Sequence, residues 1–475
     1  MKKIHFLSVL IILGFTVNGQ IINIPDAYFK GSLLAANTGV SYALNSYGNN
    51  MKVDTNSNGE IELSEAALVY SLNLYSNVYL NPGNIVSLEG IQNFTNLKVL
   101  KCWNNHITSL NLSGLNHLEE LYCDNNQITT ITTTGLTALK KFDCRSNQIS
   151  TIDTSTLVSL EEFTCTSNLL TSINTTPLSN LKKYYCNYNN LGSLDVSSLQ
   201  NLRLLVCNNS QLTSLNIANI ASLQEVICSE NPLNTLNLAG LSGLRYLEAV
   251  NNSFSTIDVQ PLTAIQRLEL SNNPLTNLNI NGLTTLSQLH IVNTLLQTID
   301  CSQTGVQQLW CNDSPNITYI NVKNNIISYS DPDMLFFAFR FENLPLLTGI
   351  CLDNGEQNNL SLTSYNNSGN VIVYTGTNCE TVLTINPQAT TDFKFNDYLS
   401  FYPNPVKTEL TVNLKNDIQI SSISIYNMLG QLVQKVPNCN AIYPIQINVT
   451  KFETGTYLMN FTTNKGSFIQ KLIKI

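Results

Sequence analysis

The chain runs to 475 residues, too long for one small domain, so two or three are expected. Its 24 Lys and Arg against 32 Asp and Glu give a net charge of −8, which excludes a basic nucleic-acid footprint over the chain as a whole. With 12% charged and 43% hydrophobic residues it is not a disordered chain, and its four His and 12 Cys argue against histidine-based chemistry and a disulfide scaffold.

The amino end carries a targeting pattern. Lys2 and Lys3 precede an apolar run from Phe6 to Val17, too short to span a bilayer. Small residues at Val17 and Gly19 place a signal cleavage between Gly19 and Gln20, making residues 1–19 a signal peptide. No later stretch reaches the ~18 apolar residues of a transmembrane helix, so an exported mature chain without a membrane span is expected.

Residues 20–68 form an expected amino-terminal cap. Within it, Asp54-Thr55-Asn56-Ser57-Asn58-Gly59-Glu60-Ile61-Glu62-Leu63-Ser64-Glu65 has the spacing of a twelve-position calcium loop. It resembles an EF-hand or dockerin-type loop. The resemblance implies side-chain oxygens from Asp54, Asn56 and Asn58, the Glu60 carbonyl, Glu62 through water and both oxygens of Glu65. Gly59 permits the sharp turn. Two neutral Asn ligands imply weak, extracellular-range affinity and a structural Ca2+; the competing reading is a solvated turn.

From about residue 69 to 327 the chain repeats. Leu97, Leu118, Leu139, Leu160, Leu181, Leu202, Leu223, Leu244, Ile265 and Leu286 recur at steps of 21 residues. One unit reads Leu97-x-x-Leu100-x-Cys102-x-x-Asn105-x-Ile107-x-x-Leu110. These residues resemble leucine-rich repeat proteins of the short, internalin-like bacterial type. The fold class expected is therefore a leucine-rich repeat solenoid with a parallel β-sheet and little helix, followed by a small carboxy-terminal β-sandwich. Alternation puts Leu100 and Cys102 on one strand face, and the Asn amide can bond backbone groups that a turn leaves unpaired. About eleven stacked strands, with extended or 3₁₀ segments on the other side, are expected.

Cys102, Cys123, Cys144, Cys165, Cys186, Cys207, Cys228 and Cys311 share one slot, which holds Ala249, Leu270 and Ile291 elsewhere. The slot asks for an apolar residue, so a core stack is favoured over a metal or redox ladder. Cys301 falls in another core slot. Cys351 and Cys379 lie in the expected cap, residues 328–380, where a disulfide would staple the solenoid's end.

Residues 381–400 lack the repeat and read as a linker. Beyond it stand Tyr402-Pro403-Asn404-Pro405-Val406 and Gly455-Thr456-Tyr457-Leu458, with alternating apolar residues such as Leu410, Val412 and Leu414. Residues 401–475 resemble the sorting domain of type IX secretion cargo in the Bacteroidetes. The resemblance implies passage across the outer membrane, engagement of the secretion machinery, and a passenger on the cell surface or released. The 401–475 segment holds seven Lys and three acidic residues, a net of +4, leaving −14 on residues 21–400 once Lys2 and Lys3 are set aside. An acidic passenger disfavours DNA and anionic glycans as ligands.

The strand position between Leu and Cys should face solvent on the concave side. It brings Tyr122, Tyr185, Val206, Ile227 and Trp310 onto one face, with Trp103 and Tyr188 beside them. Such residues suit a protein interface or a sugar-stacking platform. The expected function is protein binding or adhesion through this face, with carbohydrate binding as the alternative. No nucleophile motif, phosphate loop or zinc spacing marks an enzyme, and paired residues such as Glu119-Glu120 point to opposite strand faces, where they cannot flank one bond.

Overall fold

The computed structural model describes residues 19–75, 84–328, 338–356, 360–361, 371–375, 379, 381–383, 399–414, 419–427, 431–437, 444–463 and 466–475. The apolar run of the signal peptide, most of the linker and Cys439 lie outside these residues. Two compact units divide the chain, residues 1–384 and 385–475.

In the first unit each coil contributes a three-residue strand. Val99–Lys101 pairs in parallel with Glu120–Tyr122, which pairs with Lys141–Asp143, and so on through Gln308–Trp310. The middle residue of each strand is buried and the outer two mostly half-exposed. Among the described residues the sheet holds 15 strands, more than the eleven expected, because both ends join it. Ala43–Leu44 of the amino-terminal cap adds antiparallel to Ser71–Asn73. Phe339–Arg340 and Leu360–Ser361 continue the parallel ladder past residue 327, into the segment expected as a cap. Fourteen strand spacings give a sheet about 65 Å long.

The return side of the coils is extended, with one 3₁₀ turn, Ile91–Asn93, among the described residues. Short parallel pairs form there, such as Ser193–Asp195 with Ser214–Asn216. A longer run joins Thr298–Asp300, Tyr319–Asn321, Gly349–Cys351 and Ile372–Thr375.

Asn side chains hold the turns. Asn168 Nδ2 donates to the carbonyls of Cys144, Cys165 and Thr166, and its Oδ1 accepts from Ile149 N at 3.0 Å. Asn126, Asn147, Asn189, Asn231 and Asn273 repeat the pattern. Ser210 fills the slot in one coil and reaches Cys186 O through its hydroxyl. The preceding residue is left-handed in each coil, from Asn104 at φ 55° to Asn293 at φ 54°.

The amino end is closed by the helix Ala27–Ala35. Asp26 caps it, one carboxylate oxygen accepting from Tyr28 N and Phe29 N at 2.9 Å. Its other oxygen accepts from Val86 N and Ser87 N, tying the helix to the first full coil. Phe29 then packs on Phe94.

The second unit has two antiparallel sheets around its own core of Leu410, Val412, Ile423, Ile425, Met459 and Phe461. Three strands, Leu399–Tyr402, Glu409–Leu414 and Ile445–Asn448, make one sheet. Leu432–Pro437, Ile420–Asn427, Gly455–Thr463 and Gly466–Lys474 make the other.

Candidate functional site

Strand register sets the solvent face of the main sheet. Lys101, Tyr122, Asp143, Thr164, Tyr185, Val206, Ile227, Glu248, Glu269, His290, Trp310 and Arg340 follow one another on neighbouring strands. The aromatic residues expected along this face fall into three separate neighbourhoods.

At the amino end, Trp103 stacks on Tyr75 with centroids 4.4 Å apart, and Tyr122 meets it edge-on at 6.2 Å. Burial and the hydrogen bond to Glu120 push the Tyr122 phenol up to about 12. Asp143, nearly buried and paired with Arg145, then interrupts the row.

At the other end, Trp310 lies between its neighbours. His290 stacks on it at 4.0 Å, and the Arg340 guanidinium sits 4.2 Å from the ring centroid. These partners come from the strands on either side, so both faces of the indole are covered. His290 is 7% exposed, with Nδ1 3.5 Å from Glu269. Burial opposes ionisation of Glu269, but the His290 hydrogen bond and the Arg267 charge prevail and hold its carboxyl below the usual range.

Tyr185, Val206 and Ile227 lie between, half-buried and in register on three adjacent strands. Half-buried Leu204 adds to this apolar floor. Beside it Tyr188 is 53% exposed and left-handed at φ 55°, where most other coils place Asn or Ser, Glu230 being an exception. A bulky residue in that conformation is strained, and such strain gathers at functional positions.

The cysteines of the repeat are buried and free, from Cys102 through Cys228, as are Cys301 and Cys311. Burial raises their thiols, Cys186 and Cys228 to about 12, so they remain protonated. Cys351 and Cys379 form a disulfide, with Cα atoms 5.7 Å apart.

The 54–65 loop turns at Gly59, φ 81°. Asp54 accepts from Asn58 N and Gly59 N, and Glu62 from the amides of Asn56 and Asn58. Glu65 accepts from Thr55 N, Asn56 N and Glu62 N. Glu60 turns its carboxylate to Lys30. Asp54, Glu62 and Glu65 are each over nine-tenths buried, and among the described residues no cationic side chain pairs with them. Among the described residues no three His, Cys, Asp or Glu side chains already converge to hold a metal. Gly19 and Gln20 lie against this loop, Leu63 N donating to Gln20 O at 2.9 Å.

In the second unit Val406 is fully buried, and Tyr457 nearly so, its hydroxyl donating to Glu453 O. Tyr402 stays half-exposed, its hydroxyl accepting from Asn413. Pro403, Asn404 and Pro405 form the turn between the first two strands, and Gly455 opens the strand that carries Tyr457.

Residues 400–475 match the family model of the secretion system C-terminal sorting domain. Residues 79–136 match leucine-rich repeats, in two copies. No curated protein matches the chain. Among solved structures, the functional domain of InlJ from Listeria monocytogenes, which includes a cysteine ladder, is 20% identical with a TM-score of 0.57; the match covers 96% of this chain and 98% of that one. The leucine-rich repeat protein LIC12759 of Leptospira interrogans is 20% identical at TM-score 0.49, covering 61% and 79%. The internalin InlF of Listeria monocytogenes is 22% identical at TM-score 0.46, covering 67% and 98%. At these identities the likeness is one of fold. Among the described residues no helix is long and apolar enough to cross a membrane.

Proposed function

We propose that this leucine-rich repeat protein, whose type IX sorting domain marks it for secretion across the outer membrane to the cell surface or outside, binds another protein in an adhesive role through the middle of its main sheet. The observation that carries the reading is the open apolar floor of Tyr185, Val206 and Ile227 beside strained Tyr188. Apolar and aromatic residues ringed by polar neighbours are what protein hot spots are made of. The covered faces of Trp310 and the stacking of Trp103 on Tyr75 weigh against sugar stacking at the two ends.

We read the chain as a binding protein and not an enzyme. Glu119 bridges Lys98 and Lys140, Glu161 pairs with Lys182 and Glu162 with Lys183, so the acidic pairs serve the surface of the stack. The test compares wild type with a Tyr185→Ala, Ile227→Ala double variant on arrays of surface proteins and of glycans. Saturable protein binding that the variant weakens at least tenfold supports the reading. Unchanged binding removes the site, and glycan binding alone favours the carbohydrate alternative.

The 54–65 loop is proposed to hold a structural calcium ion. Three buried carboxylates without a cationic partner attract a cation, and Asn56 and Asn58 supply amide oxygens once their side chains turn inward. Calcium at about 100 times its Kd would add about 2.7 kcal/mol. A melting temperature that does not move between saturating calcium and EGTA removes the ion from the account.

A further inference from the structure

The sorting domain's carboxy terminus is an edge strand. Gly466–Lys474 pairs on one side with Gly455–Thr463 along its whole length, from Gly455↔Lys474 to Thr463↔Gly466. Among the described residues its other side has no strand partner in the four-stranded sheet, only the isolated parallel bridge Val406↔Lys474. The outward backbone groups of its last residues are nonetheless bonded. Asn404 Nδ2 donates to Lys471 O at 2.9 Å, and Asn404 Oδ1 accepts from Ile473 N at 2.7 Å. Val406 N then donates to Ile473 O at 2.8 Å, and Ile475 N to Val406 O at 2.9 Å.

One side chain and one backbone residue thus serve four successive strand groups as a neighbouring strand would. An Asn amide can do this because it carries a donor and an acceptor on one plane, like a peptide unit. Asp lacks the donor, and Ala lacks both. Beneath the splice, Val406 and Leu472 are fully buried, while Lys471 and Ile475 face solvent. The Pro403-Asn404-Pro405-Val406 motif is therefore consumed inside the domain, 67 and 69 residues from the groups that Asn404 holds.

We propose that Asn404 is a positioning residue of the sorting signal: by standing in for a backbone peptide it locks the terminal strand into the sheet, and the export machinery engages that strand as a folded edge and not as a free peptide. The inference rests on residues 400–475 being a sorting domain. It does not depend on what the solenoid binds.

The test uses the full chain in its secreting host, with Asn404→Ala and Asn404→Asp. Hydrogen exchange of residues 470–475 and of the strand Ile420–Asn427 is measured on purified precursor. Secretion is the ratio of passenger outside the outer membrane to precursor in the periplasm. Asn404→Ala should lower protection of the tail about tenfold or more, leave Ile420–Asn427 protected, and lower secretion about tenfold. Asn404→Asp keeps the acceptor for Ile473 and should fall between in both readings. If Asn404→Ala exposes Ile420–Asn427 as well, the Asp variant decides. The proposal is overturned if a released tail is secreted at the wild-type level, as a linear signal would be. It also falls if the tail stays protected without the amide, or if the order of the variants differs between protection and secretion.

Discussion

Replacing Asn168 by Ala tests whether the turns are held by side-chain amides or by apolar packing alone. The substitution removes the acceptor of the Ile149 N–H and the shared donor of three carbonyls, with distances of 2.9 to 3.3 Å. Asn168 is 6% exposed, so water has little access to replace these bonds. An orphaned buried donor costs about 1–3 kcal/mol, and the under-bonded carbonyls add to it, so a total near 3 kcal/mol is expected. In a stack whose coils touch only their neighbours, the loss should be local. Urea unfolding gives the magnitude, and hydrogen exchange should show residues 144–170 opening before the coils at either end. Ser at this position, which Ser210 already occupies in another coil, should recover part of the loss. A cost under about 1 kcal/mol, or an apolar Asn168→Leu as stable as wild type, would refute the reasoning.

Tyr188→Asn should stabilise the protein by about 1 kcal/mol, because Asn accepts the left-handed conformation more readily, while weakening partner binding; a loss of stability in urea would contradict the strain. Thiol reagents should leave Cys102 through Cys228 unmodified in the native protein and label them all in denaturant, and native labelling near neutral pH would sink the buried-stack reading. Glu269 has a lowered pKa, so its stabilising contribution is present above the unfolded value of about 4.3 and is lost as pH falls through the folded one. Glu269→Gln should therefore flatten the acid side of the stability profile, and an unaltered profile would deny the Glu269–His290 interaction any weight.

The repeat was legible because each slot obeys one geometric demand. Leu100, Cys102 and Asn105 recur at fixed offsets, and alternation on a three-residue strand decides what is buried. The ends were less legible because their spacing drifts. Trp310 to Arg340 is a step of 30 residues, yet the two are register partners, so spacing alone puts the strand Phe339–Arg340 in a cap. The same irregular spacing hid the His290–Trp310–Arg340 stack, since no offset in the sequence aligns the three. The 21-residue spacing already sets Asp143 and Thr164 between Tyr122 and Tyr185; what it could not show is that the aromatics at both ends are stacked on their own neighbours. The two-way use of Asp26 had no local signal, because its second pair of donors lies 60 and 61 residues away.

Among the described residues, nine buried free thiols and one disulfide share a chain that must traverse an oxidising space. Stacking order then becomes a matter of timing. Each coil that settles on its predecessor takes a sulfur out of reach of oxidants, and the high pKa that burial confers suppresses attack by the thiolate. A chain delayed half-stacked would present several adjacent sulfurs at once and cross-link in the wrong pairs, so rapid closure from neighbour to neighbour is itself the protection against misoxidation.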